Sequence, residues 1–159
     1  MKIIGIDPGI GRLGWGVIDK VKNNELRILG FGCIETQPNS DIPGRLYAIH
    51  DEVCRIIDEY KPEAMAIEDL FFSKNVKTAF AVGQARGVVL LAASQKNLSV
   101  AVYTPQQVKS TVTGYGKADK RQVGQMVKVT LKLPKVPTPD DTADALAIAL
   151  THAFTQKYA

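Results

Sequence analysis

Four acidic residues stand at the boundaries of apolar segments, where an unpaired charge would be costly to bury. Asp7 and Glu68 each end a short apolar run, and Asp144 directly precedes another. Asp141 lies three residues before Asp144, a spacing that places both carboxylates on one face of a helix. If the chain brings these four positions together, their charges require a compensating cation.

Oxygen ligands of this kind suit a hard cation such as Mg²⁺, whereas a zinc site would use His or Cys. Two such ions about 3.5 to 4 Å apart can activate a water and stabilise the leaving oxygen of an in-line phosphodiester displacement. The acids would then hold metal and need not transfer protons. His50 and His152 have no partners at metal-ligand spacing, and we interpret them as surface or packing residues.

Two of the acids also have simpler explanations. Asp7 precedes Pro8 and Gly9, and Asp is a common turn-forming residue. Asp141 fits a helix start in which Thr138 is the N-cap and Pro139 the first helical residue. On the residues alone, both alternatives stay open.

An aromatic and basic segment follows Glu68 directly. It pairs Phe71 and Phe72 with Lys74 and Lys77. Aromatic rings can stack on unpaired bases, and lysines can contact phosphates. The sequence therefore predicts a nucleic-acid contact here, with burial of one or both rings in the core as the alternative.

A second basic group lies further along the chain, around a glycine-rich turn and a helix start capped by Asp119. Flexible glycines and helix N-termini both favour phosphate contact. Solvated surface charges are the usual alternative. The group consists of Lys109, Lys117, Lys120 and Arg121.

The elements that must position these residues follow from apolar periodicity and turn signals. Three strands at the start read as antiparallel, and two later strands alternate with helices. This pattern predicts an α/β fold with a mixed five-stranded sheet flanked by helices. The predicted strands are 2–6, 11–19, 26–35, 64–68 and 98–103, and the predicted helices are 45–60, 78–96, a short one after Pro105, 120–131 and one starting near Pro139.

The composition limits the possible settings of the protein. A chain of 159 residues with 45% hydrophobic content suits a single domain, 1–159, and a net charge of +4 permits a polyanionic partner. Cys33 and Cys54 form no CxxC motif and read as reduced thiols. We find no signal peptide and no uninterrupted apolar membrane span, so we expect a cytoplasmic protein with no membrane partner.

Four short motifs, in this order and spacing, resemble the RuvC family of Holliday junction resolvases, and the resemblance runs essentially end to end. The motifs are GIDPG at 5–9, AIE at 66–68, GQARG at 83–87 and DTADALAIA at 141–149. The resemblance implies a ribonuclease H-like fold. It also implies a magnesium-dependent endonuclease that resolves four-way junctions by paired symmetric nicks during recombination and DNA repair.

Residue by residue, the resemblance assigns metal binding to Asp7, Glu68, Asp141 and Asp144, with two Mg²⁺ ions per site and Mn²⁺ as a substitute. It gives Lys109 and Lys120 a part in DNA binding or catalysis, and it gives Phe71 a part in distorting the junction. Asp140 falls outside the motif.

The same resemblance implies a homodimer and two partner proteins, a junction-binding protein and a branch-migration ATPase (RuvA and RuvB). A closed twofold interface needs a self-complementary patch. The small-residue helix around 83–87 is our candidate, with close packing on the sheet as the alternative. Ile10 and Trp15 depart from what is frequent in the family, and neither change touches the predicted metal site.

Two other functions compete with this prediction. The Asp7-x-Gly9 turn after a strand also resembles the first phosphate loop of actin-like ATPases, but those need two such domains. The second competitor is a noncatalytic nucleic-acid-binding module with the same fold. The intact set of four acids argues against it.

Overall fold

A computed structural model describes residues 1–69 and 75–156 of the chain. Five strands form one sheet in the order β3-β2-β1-β4-β5. The strands are β1 (Lys2–Asp7), β2 (Arg12–Lys20), β3 (Leu26–Glu35), β4 (Ala64–Glu68) and β5 (Ser99–Tyr103), and a short 3₁₀ helix spans Lys22–Asn24. The helices are α1 (Ile42–Tyr60), α2 (Val76–Gln95), α3 (Pro105–Thr113), α4 (Lys120–Thr130) and α5 (Asp140–Thr155).

The sheet is mixed, as the sequence predicts. β1 pairs antiparallel with β2, which pairs antiparallel with β3. On its other side β1 pairs parallel with β4, and β4 pairs parallel with β5. The carboxyl ends of β1, β4 and β5 therefore lie at the same edge of the sheet, together with the start of β2.

Each face of the sheet is covered by its own hydrophobic core. On one face, α1 and α2 pack over side chains such as Ile4, Val17 and Met65. On the other face, α3, α4 and α5 pack over Ile3 and Ile18. α5 lies against the middle of the sheet, because all residues from 145 to 150 are buried.

The helix starts follow local capping chemistry. The Asp41 side chain accepts a hydrogen bond from the Gly44 amide, so α1 begins three residues before the predicted start. Asp119 caps α4 as predicted, in a reciprocal capping box with Gln122. The Asn75 side chain caps α2 by accepting a hydrogen bond from the Thr78 amide.

The predicted cap of α5 is wrong. Thr138 is not the N-cap, because Pro139 is extended (ψ 173°) and occupies that position, with no capping hydrogen bond from a side chain. The helix therefore begins at Asp140. Its first turn is closed by the Thr142 amide, which donates to the Pro139 carbonyl at 2.9 Å.

α2 has an unusual distribution of apolar residues. Among the described residues it is the helix that is long and apolar enough to cross a membrane by length and composition, and 28% of that stretch is buried. Its buried side includes Ala85, Val89 and Ala92, which pack in the core beneath α1. Its other side leaves Phe80 and Leu91 exposed.

The two cysteines are free, and the two histidines make hydrogen bonds to side chains other than the predicted acids. Cys33 and Cys54 are free and half-buried. His50 hydrogen-bonds Gln95 at 2.7 Å. His152 is buried on α5, with its Nδ1 2.8 Å from the Tyr103 hydroxyl.

Candidate active site

Two of the predicted acids end neighbouring parallel strands. Asp7 is the last residue of β1 and Glu68 is the last residue of β4. The register pairs Ile6 with Ile67, so the two carboxylates follow directly after paired residues. Adjacent strands lie about 4.8 Å apart, which brings both side chains to one place at the sheet edge.

The other two acids reach this edge on α5, which approaches the sheet closely. A Cβ added to Gly5 would overlap the Ala145 carbonyl, and one added to Gly14 would overlap the Asp141 carbonyl. Both glycines therefore allow backbone to meet backbone. Asp141 and Asp144 lie in the first two turns of the helix, facing the ends of the strands.

Three of the four acids line one cavity of about 310 Å³, together with two of the predicted basic residues. Its lining residues are Asp7, Glu68, Pro105, Val108, Lys109, Lys120, Val123, Asp144 and Ala147. Asp141 lies one helical turn from Asp144, outside this lining. The structure thus brings together residues from β1, β4, α3, α4 and α5.

Crowding of negative charge inside this cavity shows in the proton affinities. Burial, with the charges of Asp144, Glu68 and Asp141, raises the pKa of Asp7 to about 8. Burial and the Asp144 charge raise the pKa of Glu68, against the opposing charges of Lys109 and Lys120. The pKa of Asp144 is also raised, chiefly by burial, although Lys120 opposes the shift. The acids therefore bind protons more tightly than free carboxyl groups, chiefly because they are buried and also because their charges lie close together.

Cations from the protein balance two of the acids. Lys120 Nζ lies 3.1 Å from Asp144 Oδ2 and 3.9 Å from Asp140 Oδ2. Arg12 Nε, at the start of β2, lies 3.6 Å from Asp141 Oδ2. Within residues 1–69 and 75–156, Asp7 and Glu68 form no ion pair. These two carboxylates are the ones left without a counter-charge from that part of the chain.

The donor set is compatible with a hard metal ion because it consists of carboxylate oxygens. Over the described part of the chain, no three His, Cys, Asp or Glu side chains form a ready-made metal site. A bound cation would offset both causes of the raised pKa of Asp7, which are burial of the carboxyl group and the nearby charges of the other acids.

The predicted DNA-contacting residues have different positions. Lys109 and Lys120 line the acidic cavity. Arg121 lines an adjoining open cavity of about 500 Å³ together with Tyr115, an exposed aromatic residue that the sequence analysis did not select. Lys117 is exposed near this cavity, and Lys77 is exposed on the first turn of α2.

Three predicted contacts, Phe71, Phe72 and Lys74, lie outside the described residues. Arg12 is the residue near the acids that the sequence analysis missed. One signal could have found it: Arg12 starts the strand that follows the Asp7 turn, so it must return to the same edge of the sheet.

Comparisons with known proteins identify close relatives. Residues 3–152 match the family model described as Crossover junction endodeoxyribonuclease RuvC. A protein of that description from Thermosipho melanesiensis is 54% identical over 158 residues, covering 99% of this chain and 100% of the relative. Another from Finegoldia magna is 50% identical over 158 residues, covering 99% and 96%.

Solved structures give the same result. The Thermus thermophilus RuvC structure in complex with a Holliday junction substrate superposes with a TM-score of 0.92 at 42% identity, covering 97% of this chain and 93% of that one. The yeast mitochondrial Holliday junction resolvase superposes with a TM-score of 0.67 at 14% identity, covering 95% and 78%. The second likeness concerns the fold alone. The architecture of this chain is the ribonuclease H-like one that the sequence predicts.

Proposed function

We propose that this chain, which belongs to the RuvC family of crossover junction endodeoxyribonucleases, resolves Holliday junctions at the cavity that joins Asp7, Glu68 and Asp144. The observation that carries the proposal is the cluster of buried carboxyl groups in a cavity with two lysines on its wall. That combination suits a metal-dependent cut in a polyanion. A noncatalytic DNA-binding module would have no use for these acids, because crowded negative charge repels DNA.

Asp7, Glu68, Asp141 and Asp144 would hold the metal, which we propose to be Mg²⁺, with two ions per site and Mn²⁺ as a substitute. When bound, such ions supply an activated water and stabilise the leaving oxygen of the phosphodiester. Asp7 and Glu68, fixed at strand ends, supply the rigid side of the site. Asp141 and Asp144 supply the other side from α5 and must first part from Arg12 and Lys120.

The two lysines of the cavity can then meet the DNA. Lys120 makes its closest ion pair with Asp144, and if this carboxylate bound a metal ion, the ammonium group would be free to contact a phosphate oxygen. Lys109 forms no ion pair within residues 1–69 and 75–156, and its charge lowers the pKa of Glu68. Both lysines therefore line the same cavity as the acids, where they can contact a phosphate of the bound strand.

Further contacts with the junction are proposed at the remaining basic and aromatic positions, which are Phe71, Phe72, Lys74, Lys77, Lys117 and Arg121. Membership of the family also supports the proposal of two partner proteins, RuvA and RuvB. The cleavage assay of the chain alone depends neither on the assignment of these contacts nor on the two partner proteins.

The activity is tested with a labelled four-way junction and a duplex of matched sequence and length. With Mg²⁺, we expect nicks in the junction at two symmetric positions and none in the duplex. With a chelator, we expect no nicks in either. Equal cutting of both substrates would contradict junction selectivity, and cutting in chelator would contradict the metal requirement.

The site assignment is tested by Asp144→Asn, which removes one negative charge and keeps the side-chain volume. We expect junction binding to be retained and the nicking rate to fall at least about 100-fold, because a ligand that tunes the metal is lost. Asp140→Asn is the matched control, since Asp140 is 79% exposed, lies on the same helix and also contacts Lys120. Equal losses in the two variants would contradict a special role for Asp144.

A dimer interface is proposed on the exposed side of α2. Val76, Phe80, Gly83, Gly87 and Leu91 recur every three or four residues and so form one stripe along the helix. The two glycines lie at its centre, and a Cβ added to Gly87 would meet nothing within 4 Å. Another backbone could therefore approach there, flanked by apolar side chains that are otherwise left in water. A second copy of the same stripe is its self-complementary partner.

A further inference from the structure

Arg12 is an exposed cation held beside the acids by a single long ion pair. Its guanidinium lies 3.6 Å from Asp141 Oδ2, and its side chain is 58% exposed. A pair so open to water is worth little by itself. If Asp141 bound a metal ion, Arg12 would lose this partner and its charge would be left at the rim of the site.

A second arginine lies next to it. Arg45 Nε donates to the Thr36 hydroxyl at 2.8 Å, and that hydroxyl donates to the Ile10 carbonyl in the turn between β1 and β2. The far end of the Arg45 side chain reaches Gly11, the residue before Arg12. Within the described residues Arg45 has no carboxylate partner. Its position is fixed by hydrogen bonds while its charge remains uncompensated.

Arg12 lines an open cleft of about 460 Å³ at the turn, and Arg45 lies behind two of its lining residues, Gly11 and Thr36. Its lining residues are Gly11, Arg12, Glu35, Thr36, Gln37 and Pro38. Glu35, the strand partner of Arg12, contributes an exposed carboxylate to the same cleft. In the described part of the chain it forms no ion pair with either arginine, so it does not neutralise their charge.

The order of the strands places this pair at the other end of the sheet edge from Lys109. Along the edge, Lys109 follows β5, Glu68 ends β4, Asp7 ends β1 and Arg12 begins β2. Three strand spacings of about 4.8 Å separate β5 from β2, or roughly 14 Å. The acids are therefore flanked by cations on both sides, at a separation of a few nucleotides of one DNA strand.

We infer that Arg12 and Arg45 form a phosphate-binding rim that holds the backbone of the cleaved strand at the β2 end of the row of acids, away from Lys109. The inference rests on the proposed function and adds to it a second anchoring point. Arg45 is available in the metal-free protein because its position is already fixed. Arg12 becomes available when a cation occupies Asp141.

The test measures junction affinity across a salt series by fluorescence anisotropy. One series uses EDTA, and the other uses Ca²⁺ in place of Mg²⁺, with the DNA checked for integrity after each titration. Each phosphate contact contributes close to one unit to the slope of log affinity against log salt concentration. We expect Arg45→Gln to reduce the slope by about one in both series. Arg12→Gln should reduce it by a similar amount with Ca²⁺ but hardly at all in EDTA.

Matched variants separate this role from a general loss of charge or of folding. Arg55 is 56% exposed and paired with Glu52 and Glu59 on α1, so Arg55→Gln is expected to leave the slope unchanged. Arg12→Lys and Arg45→Lys keep the charge and should keep most of the slope, whereas a folding defect would lower the unfolding temperature as well.

Equal salt-dependence slopes for Arg12→Gln, Arg45→Gln and Arg55→Gln would overturn the proposal that Arg12 and Arg45 bind phosphates. That result leaves wild-type nicking intact, so it differs from failure of the proposed function, in which the wild type binds the junction but does not cut it.

Discussion

At the scale of single residues, Asp7 determines the charge balance of the site. It sits at the end of a buried strand, near three other acids, and within the described chain no cation pairs with it directly. Its pKa of about 8 means that a metal-free site keeps a proton that free aspartic acid would lose near pH 4. The proton occupies the place that a metal would otherwise take.

This proton affinity predicts how stability depends on pH. Below about pH 4 the Asp7 carboxyl is protonated in both the folded and the unfolded chain, so it contributes no difference. Between about pH 4 and 8 the unfolded chain releases the proton and the folded chain retains it. The unfolded state then binds fewer protons, so the free energy of unfolding of the metal-free protein should fall as the pH rises through this range.

Urea unfolding in EDTA at a series of pH values measures this effect. Asp7→Asn removes the titrating group, so its curve should fall less steeply, and above pH 8 the variant should be more stable than the wild type. Added Mg²⁺ should stabilise the wild type most at high pH, because ligand carboxylates must be deprotonated. If the free energy of unfolding of the two proteins changes in parallel from pH 5 to 9, the prediction is wrong.

What could be predicted about single residues depended on the range of the interactions. Asp7 and Glu68 could be selected because an acid at the end of an apolar run is visible in a short window of sequence. The Arg12–Asp141 pair spans 129 positions of the chain by residue number and forms only after α5 packs over β2. Local spacing carries no signal for such a contact.

At the scale of elements, the site depends on how closely α5 approaches the sheet. Gly5 on β1 and Gly14 on β2 lie beneath its backbone. Gly14 is the more direct support of the site, because a Cβ there would meet the backbone of Asp141 and Thr142. Because Gly14 has no side chain, the start of α5 can lie close to β2, and this close approach determines the depth of the cavity.

Gly14→Ala is expected to push the start of α5 away from β2. Overpacking of this kind costs about 1–3 kcal/mol, measured as a lower free energy of unfolding. Displacement of Asp141 and Asp144 should also lower the nicking rate more than junction binding. Gly11→Ala serves as the control for unfolding, since its added Cβ would lie 3.7 Å from Arg45, an ordinary contact. Equal stability of the two variants would show that the close approach is not required.

The elements themselves were largely predictable, because hydrophobic periodicity fixes which faces are buried. The five strands, their mixed pairing and α1 to α4 lie where the sequence places them, within three residues. The N-cap of α5 was misassigned to Thr138 because a Thr-Pro pair before acids matches the capping pattern, although the helix begins within one residue of the predicted start near Pro139. The backbone of Pro139 is extended instead, and tertiary packing of the helix decides its first turn.

At the scale of the whole molecule, charge and apolar surface are segregated. The acids lie at one edge of the sheet between two groups of cations, which suits a polyanion drawn across the site. The exposed apolar stripe lies on α2, which follows β4 in the chain. The surface proposed to bind a second copy is therefore close in the chain to Glu68.

The dimer proposal is tested by placing a charge in the middle of that stripe. Phe80 is 69% exposed, so Phe80→Glu should leave the monomer fold intact while burying a charge in any dimer, at a cost of several kcal/mol. Sedimentation equilibrium should then detect a shift from dimer to monomer. Val129→Glu is the control, since Val129 is 66% exposed on α4, away from the stripe.

The same variant links assembly to the outcome of cleavage. Two sites held in one dimer can cut both strands of a junction in a single binding event, whereas a monomer cuts one strand and dissociates. On a supercoiled plasmid with an extruded cruciform, paired nicks give linear DNA and single nicks give an open circle. Phe80→Glu should therefore raise the proportion of open circles severalfold. If it sediments as a monomer and still produces mostly linear DNA, paired cleavage does not require this interface.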